Sequence, residues 1–241
     1  MTTVAAKGKR SGGKHTGSRA REVAGGGRAV EVSPERLPGW FERFAERNDG
    51  VAATYLHPRE VTVLGGDGTT ARIAVPFGPL PAGFEAGEHS GLAVEPLVEH
   101  LRRSRRIGLI LVRLGGHSLG IAEGPAISVS RTDQRPVHGR NSAGGWSQQR
   151  FARRREGQAR EALRAACDDV VEVLGSRVGE LDAVVLGGDR KALDELRADP
   201  RLEQVFALAE PRVLDVAEPR RKVLDEAAVR ARSVEIVVRV A

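Results

Sequence analysis

The segment Ile107-Gly108-Leu109-Ile110-Leu111-Val112-Arg113-Leu114 is a nearly unbroken apolar run of the kind found in a strand covered on both faces. Further strands are expected at residues 118–122 and 126–131, and the loop after them runs to Gly145 and leads into a helix from about 148 to 174. Residues 183–186 read as another buried strand, entering the turn Gly187-Gly188-Asp189 and a helix over 190–197. A strand near 213–216, a helix over 219–232 and an alternating strand over 234–240 complete the layer. Strands with helices on both faces make this part α/β. The Gly187-Gly188-Asp189 turn lacks the full spacing and the Lys-Ser/Thr ending of a phosphate loop.

Upstream the pattern changes. Val30 and Val32 alternate with charge as a short strand, and Ser33-Pro34 opens a helix carrying Leu37, Trp40, Phe41 and Phe44 at i, i+3, i+4 and i+7. On that stripe Trp40 reads as core and not as a ligand platform. After Asn48-Asp49-Gly50, β-like runs occupy 51–56, 60–64 and 70–75, the last two joined by the hairpin signal Gly65-Gly66-Asp67-Gly68. Residues 76–96, rich in Pro and Gly, read as a linker or surface loop. The expected organisation is a disordered basic arm over 1–28, a small α+β domain over 29–97 and an α/β domain over 98–241.

The chain has 241 residues, 40% of them hydrophobic, enough for at least one real core. A lone cysteine, Cys167, rules out an internal disulfide and a cysteine-cluster metal site, and its place on the apolar side of a helix makes it a buried thiol. With no apolar leader after Met1 and no run near twenty apolar residues, a cytoplasmic protein without membrane anchoring is expected. The net charge of +6 is unevenly placed: residues 1–28 carry seven Lys/Arg against Glu22, and residues 131–164 carry nine Arg against three acids. Two basic segments on a mildly acidic body suggest a polyanionic partner, and arginine suits bidentate phosphate contacts and stacking on RNA bases. A general arginine bias is the plainer alternative, since 33 of 38 basic residues are arginine.

The second basic segment contains Asn-Ser-Ala-Gly-Gly-Trp-Ser-Gln-Gln-Arg-Phe-Ala-Arg-Arg over residues 141–154. Gly144 and Gly145 permit backbone angles closed to other residues and expose amide N–H groups. Gln148 and Gln149 cannot act as strong bases, but a carboxamide can orient a water or line up a hydroxyl. The same residues also suit an ordinary loop end, with Ser147 as N-cap and the glutamines in a first helical turn.

The runs Arg106-Ile107-Gly108-Leu109-Ile110-Leu111-Val112-Arg113, His138-Gly139-Arg140 and Ala143-Gly144-Gly145-Trp146-Ser147-Gln148-Gln149-Arg150-Phe151-Ala152-Arg153-Arg154-Arg155 resemble the actinobacterial branch of the VLRF (Vms-like release factor) family. That family lies within the superfamily of archaeal and eukaryotic peptide-chain release factors, and the resemblance covers roughly residues 100–241. It implies a ribonuclease H-like α/β release domain that brings a glutamine-bearing loop to the large ribosomal subunit and hydrolyses peptidyl-tRNA, as a monomer and without metal or cofactor. Trp146 and Ser147 separate Gly145 from Gln148, a departure from the Gly-Gly-Gln of release factors. Ser147-Gln148 matches the Ser-Gln of the Vms-like pattern, so the water-orienting role falls on Gln148, with Gln149 in reserve and Gly144, Gly145 and Ser147 as the rest of the catalytic loop. Arg140, Arg150, Arg153, Arg154 and Arg155 are the phosphate-contact candidates, and Trp146 either stacks on an RNA base or wedges the loop.

His117 and His138 read as loop or surface residues, and no Ser-His-Asp arrangement is evident. A non-catalytic ribosome- or RNA-binding factor on the same fold is the alternative function. A metal-dependent nuclease would need converging carboxylates, which strands 107–114 and 126–131 lack.

Overall fold

A computed structural model describes residues 20–113, 115–134 and 146–241, with the backbone alone at residues 20 and 146–155. It begins with β1 (Ala20–Glu22), β2 (Arg28–Val32), a 3-10 turn at Pro34–Arg36 and α1 (Leu37–Arg47). There follow β3 (Val51–His57), β4 (Glu60–Gly65), β5 (Thr70–Ala74), β6 (Gly87–Ser90) and α2 (Glu95–Arg102). The second half comprises β7 (Arg106–Arg113), β8 (Gly116–Glu123), β9 (Ala126–Gln134), α3 (Trp146–Val173), β10 (Ala183–Gly188), α4 (Arg190–Arg197), α5 (Glu203–Ala207), β11 (Ala209–Leu214), α6 (Arg221–Arg232) and β12 (Val234–Arg239).

These strands form two sheets. The first has seven strands in the order β1-β2-β12-β5-β4-β3-β6, every neighbouring pair antiparallel. Its apolar residues alternate along each strand, so one face collects Val32, Val61, Val63, Ile73 and Ile236 against Leu37, Phe41 and Phe44 of α1 and Leu97 and Leu101 of α2. Trp40 is half-buried against this core and stacks on Phe44 at 5.6 Å, as its helical stripe predicts. The hairpin expected around Gly65-Gly66-Asp67-Gly68 joins β4 and β5. Within the expected linker, Gly87–Ser90 is an edge strand on β3, and α2 follows it at the end of that half.

The second sheet has five strands in the order β11-β10-β7-β8-β9. β7, β8 and β9 are an antiparallel meander, while β10 and β11 add in parallel on the other side of β7. β7 is thereby central, which is why residues 107–112 are all buried. One face packs on α3, α4 and α5 through Ile110, Leu119, Val170, Leu193 and Val205; the other packs on α6 through Leu109, Leu111, Leu224 and Ala228. The expectation of an α/β layer covered on both faces holds here.

One strand is elsewhere than expected. The alternating run at the chain's end belongs to the first sheet, not the second: Ile236 faces Val30 of β2 on one side and Ile73 of β5 on the other. The alternation of Val234, Ile236 and Val238 identifies a strand with one covered face, but period two carries no information about which sheet supplies the cover. Residues 20–22, placed in the basic arm by composition, likewise pair with β2, and Arg21 meets Glu235 at 3.0 Å.

The two layers are also joined at a seam. Glu31 of β2 receives Arg230 of α6 at 2.7 Å and Arg212 of β11 at 2.6 Å. Burial alone would raise the Glu31 carboxyl, but the hydrogen bond from Arg230 and the charges of Arg212 and Arg230 outweigh it and hold the pKa below its ordinary value. Phe77, with φ of 63°, packs on the α6-side core of the second sheet, and the Arg105 guanidinium lies 4.8 Å over its ring. His100, buried beneath this loop, meets the Pro76 carbonyl through Nε2 at 2.8 Å, and burial pushes its pKa down.

Candidate functional site

The long helix α3 carries most of the residues singled out by the sequence. Its C-terminal half is seated on the sheet, with Ala166, Cys167, Val170 and Val173 buried, whereas Glu156, Gly157, Arg160, Glu161 and Arg164 are exposed. Trp146, Ser147, Gln148, Gln149, Arg150, Arg153, Arg154 and Arg155 occupy its first turns. The described helix already includes Trp146 and Ser147, ahead of the expected start near 148, so Ser147 is helical and not a cap. At about 100° per residue the backbone register sets Arg150, Arg153 and Arg154 on one stripe and turns Gln148 and Gln149 to different azimuths. Arg140, Gly144, Gly145 and His138 lie outside the described residues.

Beside the exposed half of α3 is a cleft of about 520 Å³. Ala159, Ala162 and Leu163 form one wall, the start of α4 another, and His117 lies at the β8 end. The start of α4 is closed by its own cap, since Asp189 Oδ1 accepts from the Lys191 amide at 2.9 Å. Gly188 before it has φ of 104°, and a Cβ there would stand 2.0 Å from the Val112 carbonyl oxygen. The glycine pair in this turn is explained by close approach of β10 to β7, without any phosphate.

His117 departs from its expected place. It is 3% exposed, on β8, because the strand begins at Gly116, earlier than the apolar residues alone suggest. Its Nε2 lies 2.8 Å from Asp169 Oδ2 of α3. Arg131 of β9 reaches the second oxygen of Asp169 at 3.1 Å and also pairs with Glu172. The hydrogen bond to Glu172 and the charge of Asp169 raise the Arg131 pKa. The sequence does hold a trace of this group: Asp169 interrupts the inner stripe of α3 between Ala166 and Val170, where an acid is costly unless paired.

Cys167 is buried, as expected, and burial together with the nearby charge of Asp199 pushes its thiol up to about 11. It is an inert core residue near neutral pH. Asp199 itself is held down to about 2 by hydrogen bonds from the Arg201 side chain and backbone. Among the described residues, no group of three or more His, Cys, Asp or Glu side chains is placed to hold a metal ion, and no helix is long and apolar enough to cross a membrane.

Residues 105–237 match the family described as Actinobacteria/chloroflexi VLRF1 release factor (acVLRF1). The chain belongs to this family. The matched stretch takes in the whole second sheet, α3 with its glutamines, and most of β12. Similar solved structures include an archaeal translation termination factor, aRF1, at 14% identity and a TM-score of 0.41, covering 81% of this chain and 69% of that one. Archaeoglobus fulgidus Pelota is 14% identical with a TM-score of 0.31, over 89% of this chain and 66% of that one. Dom34 of S. cerevisiae, a translation termination-like factor involved in RNA quality control pathways and interacting with Hbs1, is 6% identical with a TM-score of 0.27, over 89% and 69%. No curated protein matches the chain.

Proposed function

We propose that this release-factor family member is a ribosome-associated peptidyl-tRNA hydrolase acting in ribosome rescue. The observation that carries the reading is the position of Ser147-Gln148-Gln149 in the first turn of a 28-residue helix whose other half is fixed in the core of the family-matched module. A helix rises about 1.5 Å per residue, so the glutamines lie roughly 30 Å from the buried turn at Asp169. Such a reach suits delivery of a loop into a deep RNA cavity.

The partners of this reading are the large ribosomal subunit and peptidyl-tRNA, met by a monomer. Arg140, Trp146, Arg150, Arg153, Arg154 and Arg155 contact RNA, the arginines at phosphates and Trp146 at a base or as a wedge in the loop. The assignment of the second sheet as ribonuclease H-like is supported by its strand order, a meander extended by two parallel strands on the first strand's free side.

The ester between peptide and tRNA ribose is already activated. Water adds to its carbonyl carbon, the bond to the ribose oxygen breaks, and the proton given up by water ends on that oxygen. Gln148 accepts a hydrogen bond from the water and orients it, while the amides of Gly144 and Gly145 and the hydroxyl of Ser147 shape the loop. Positioning and exclusion of bulk water then supply the acceleration, with no strong base from the protein.

Gln148→Ala is expected to lower the rate of peptide release from purified stalled ribosome complexes by about 100-fold or more, while binding in a salt-titrated pelleting assay stays unchanged. Gln149→Ala has the smaller effect. Unchanged release in both variants removes the mechanism, and salt-sensitive binding without release by the unmodified chain makes it a non-catalytic binding factor.

A further inference from the structure

Most contacts between α3 and its sheet are apolar. Such contacts are non-directional, so a helix can roll or tilt on a sheet with little change in buried area. Against this background stands an ionic group among the described residues. The Asp169 side chain is 11% exposed and that of His117 4%, in an interface otherwise filled by residues such as Val170, Leu119 and Ile121. Both carboxylate oxygens are used, Oδ2 by His117 Nε2 at 2.8 Å and Oδ1 by Arg131 Nε at 3.1 Å. These partners come from two adjacent strands, and Arg131 continues to Glu172, one turn further along α3.

We propose that His117, Asp169 and Arg131 are positioning residues that clamp the rotation and tilt of α3 and so decide where its first turn is delivered. A carboxylate held at both oxygens loses a charged hydrogen bond when the helix turns either way, which an apolar contact does not. Stability alone is a poor reason for the group, because a well-packed apolar pair in place of a buried hydrogen-bonded polar pair is commonly as stable or more so. The leverage is large. A tilt of about 5° at Asp169 displaces the helix start, roughly 30 Å away, by about 3 Å, and a misplacement of about 1 Å in a reacting group can cost about 100-fold in rate. The effect on release rests on the function proposed above; the effect on helix geometry does not.

The test uses the full chain with Cys167→Ala and two spin labels, one at Gly157→Cys, where a Cβ meets nothing within 4 Å, and one at Glu42→Cys on the exposed side of α1. Distances between the labels are measured by double electron–electron resonance. In the His117→Leu/Asp169→Leu double variant the thermal midpoint is expected to hold while the distance distribution shifts or broadens by about 2 Å, as the leverage of a 12-residue arm allows. Release by the double variant falls about tenfold or more at saturating protein, with binding unchanged. His117→Gln, whose Nε2 can still donate to Asp169, is expected to keep the native distribution and rate.

An unchanged distribution in the double variant, or a His117→Gln distribution as altered as that of His117→Leu, overturns the clamp. If the double variant does not fold, the His117→Leu and His117→Gln pair decides the question on the same readout. If the unmodified chain releases no peptide, the hydrolase reading falls, while the measured distances still support or overturn the clamp.

Discussion

The two sheets solve the same problem in opposite ways. The second is assembled from strands that follow one another along the chain, is covered by helices on both faces, and keeps its most apolar strand, β7, at the centre. The first packs α1 and α2 against one face and is completed by β12, about two hundred residues away in sequence from the β2 strand it joins. Local pattern is enough to specify the second; the first depends on a long-range pairing that contributes only after its loop has been closed.

The sharpest way to break this contrast is to weaken the closing strand. Ile236→Ala removes a side chain with no exposure from the middle of the first sheet and is expected to cost about 4 kcal/mol in urea-induced unfolding. If the sheets were independent, a second transition belonging to β7 to β11 would survive unshifted; interlocked sheets lose stability together. In the second sheet the comparable weak point is backbone and not side chain. Gly188→Ala imposes a Cβ 2.0 Å from the Val112 carbonyl oxygen at φ of 104°, and is expected to cost about 3 kcal/mol by the same measurement.

The seam comes next. Glu31→Gln leaves Arg212 and Arg230 without their shared carboxylate and is expected to cost about 1–2 kcal/mol near pH 7, less than a fully buried pair because the group keeps some access to water. The folded-state pKa of Glu31 is depressed, so its stabilisation is present above the unfolded value near 4.5 and is lost as pH falls through the lower folded value. Unfolding midpoints measured from pH 7 down to 3 should therefore fall less steeply in the Gln variant. The smallest effect lies outside both sheets: Gly157→Ala, at an exposed mid-helix position of α3, should raise stability by about 0.5–1 kcal/mol.

The legibility of the fold follows the same division. The run at 107–114 announces a strand buried on both faces, and the two strands after it, the helices over 148–174 and 190–197 and the β4–β5 hairpin are all foreseeable from period and turn chemistry. β12 is visible as a strand but not as a member of the first sheet, because alternation specifies a covered face and not its cover. β6 and α2 are hidden in and after a stretch whose prolines and glycines read as linker. At the site, the glutamines and arginines stand out by charge and by their glycine neighbours. His117 does not, since a histidine directly after the Gly115-Gly116 pair reads as turn, and only the fold brings it to Asp169 across 52 residues of chain.

The placement of β12 has a consequence for the order of synthesis. All other strands of the first sheet leave the ribosome before the second sheet exists, yet β2 and β5 stay unjoined, each with an open hydrogen-bonding edge, until residues 234–239 have been made. A chain that stops before residue 234 would therefore carry two unpaired strand edges. The pairing of β12 thus covers two strand edges at once, and exposed edges of that kind are what invite aggregation and proteolysis of a partly made sheet.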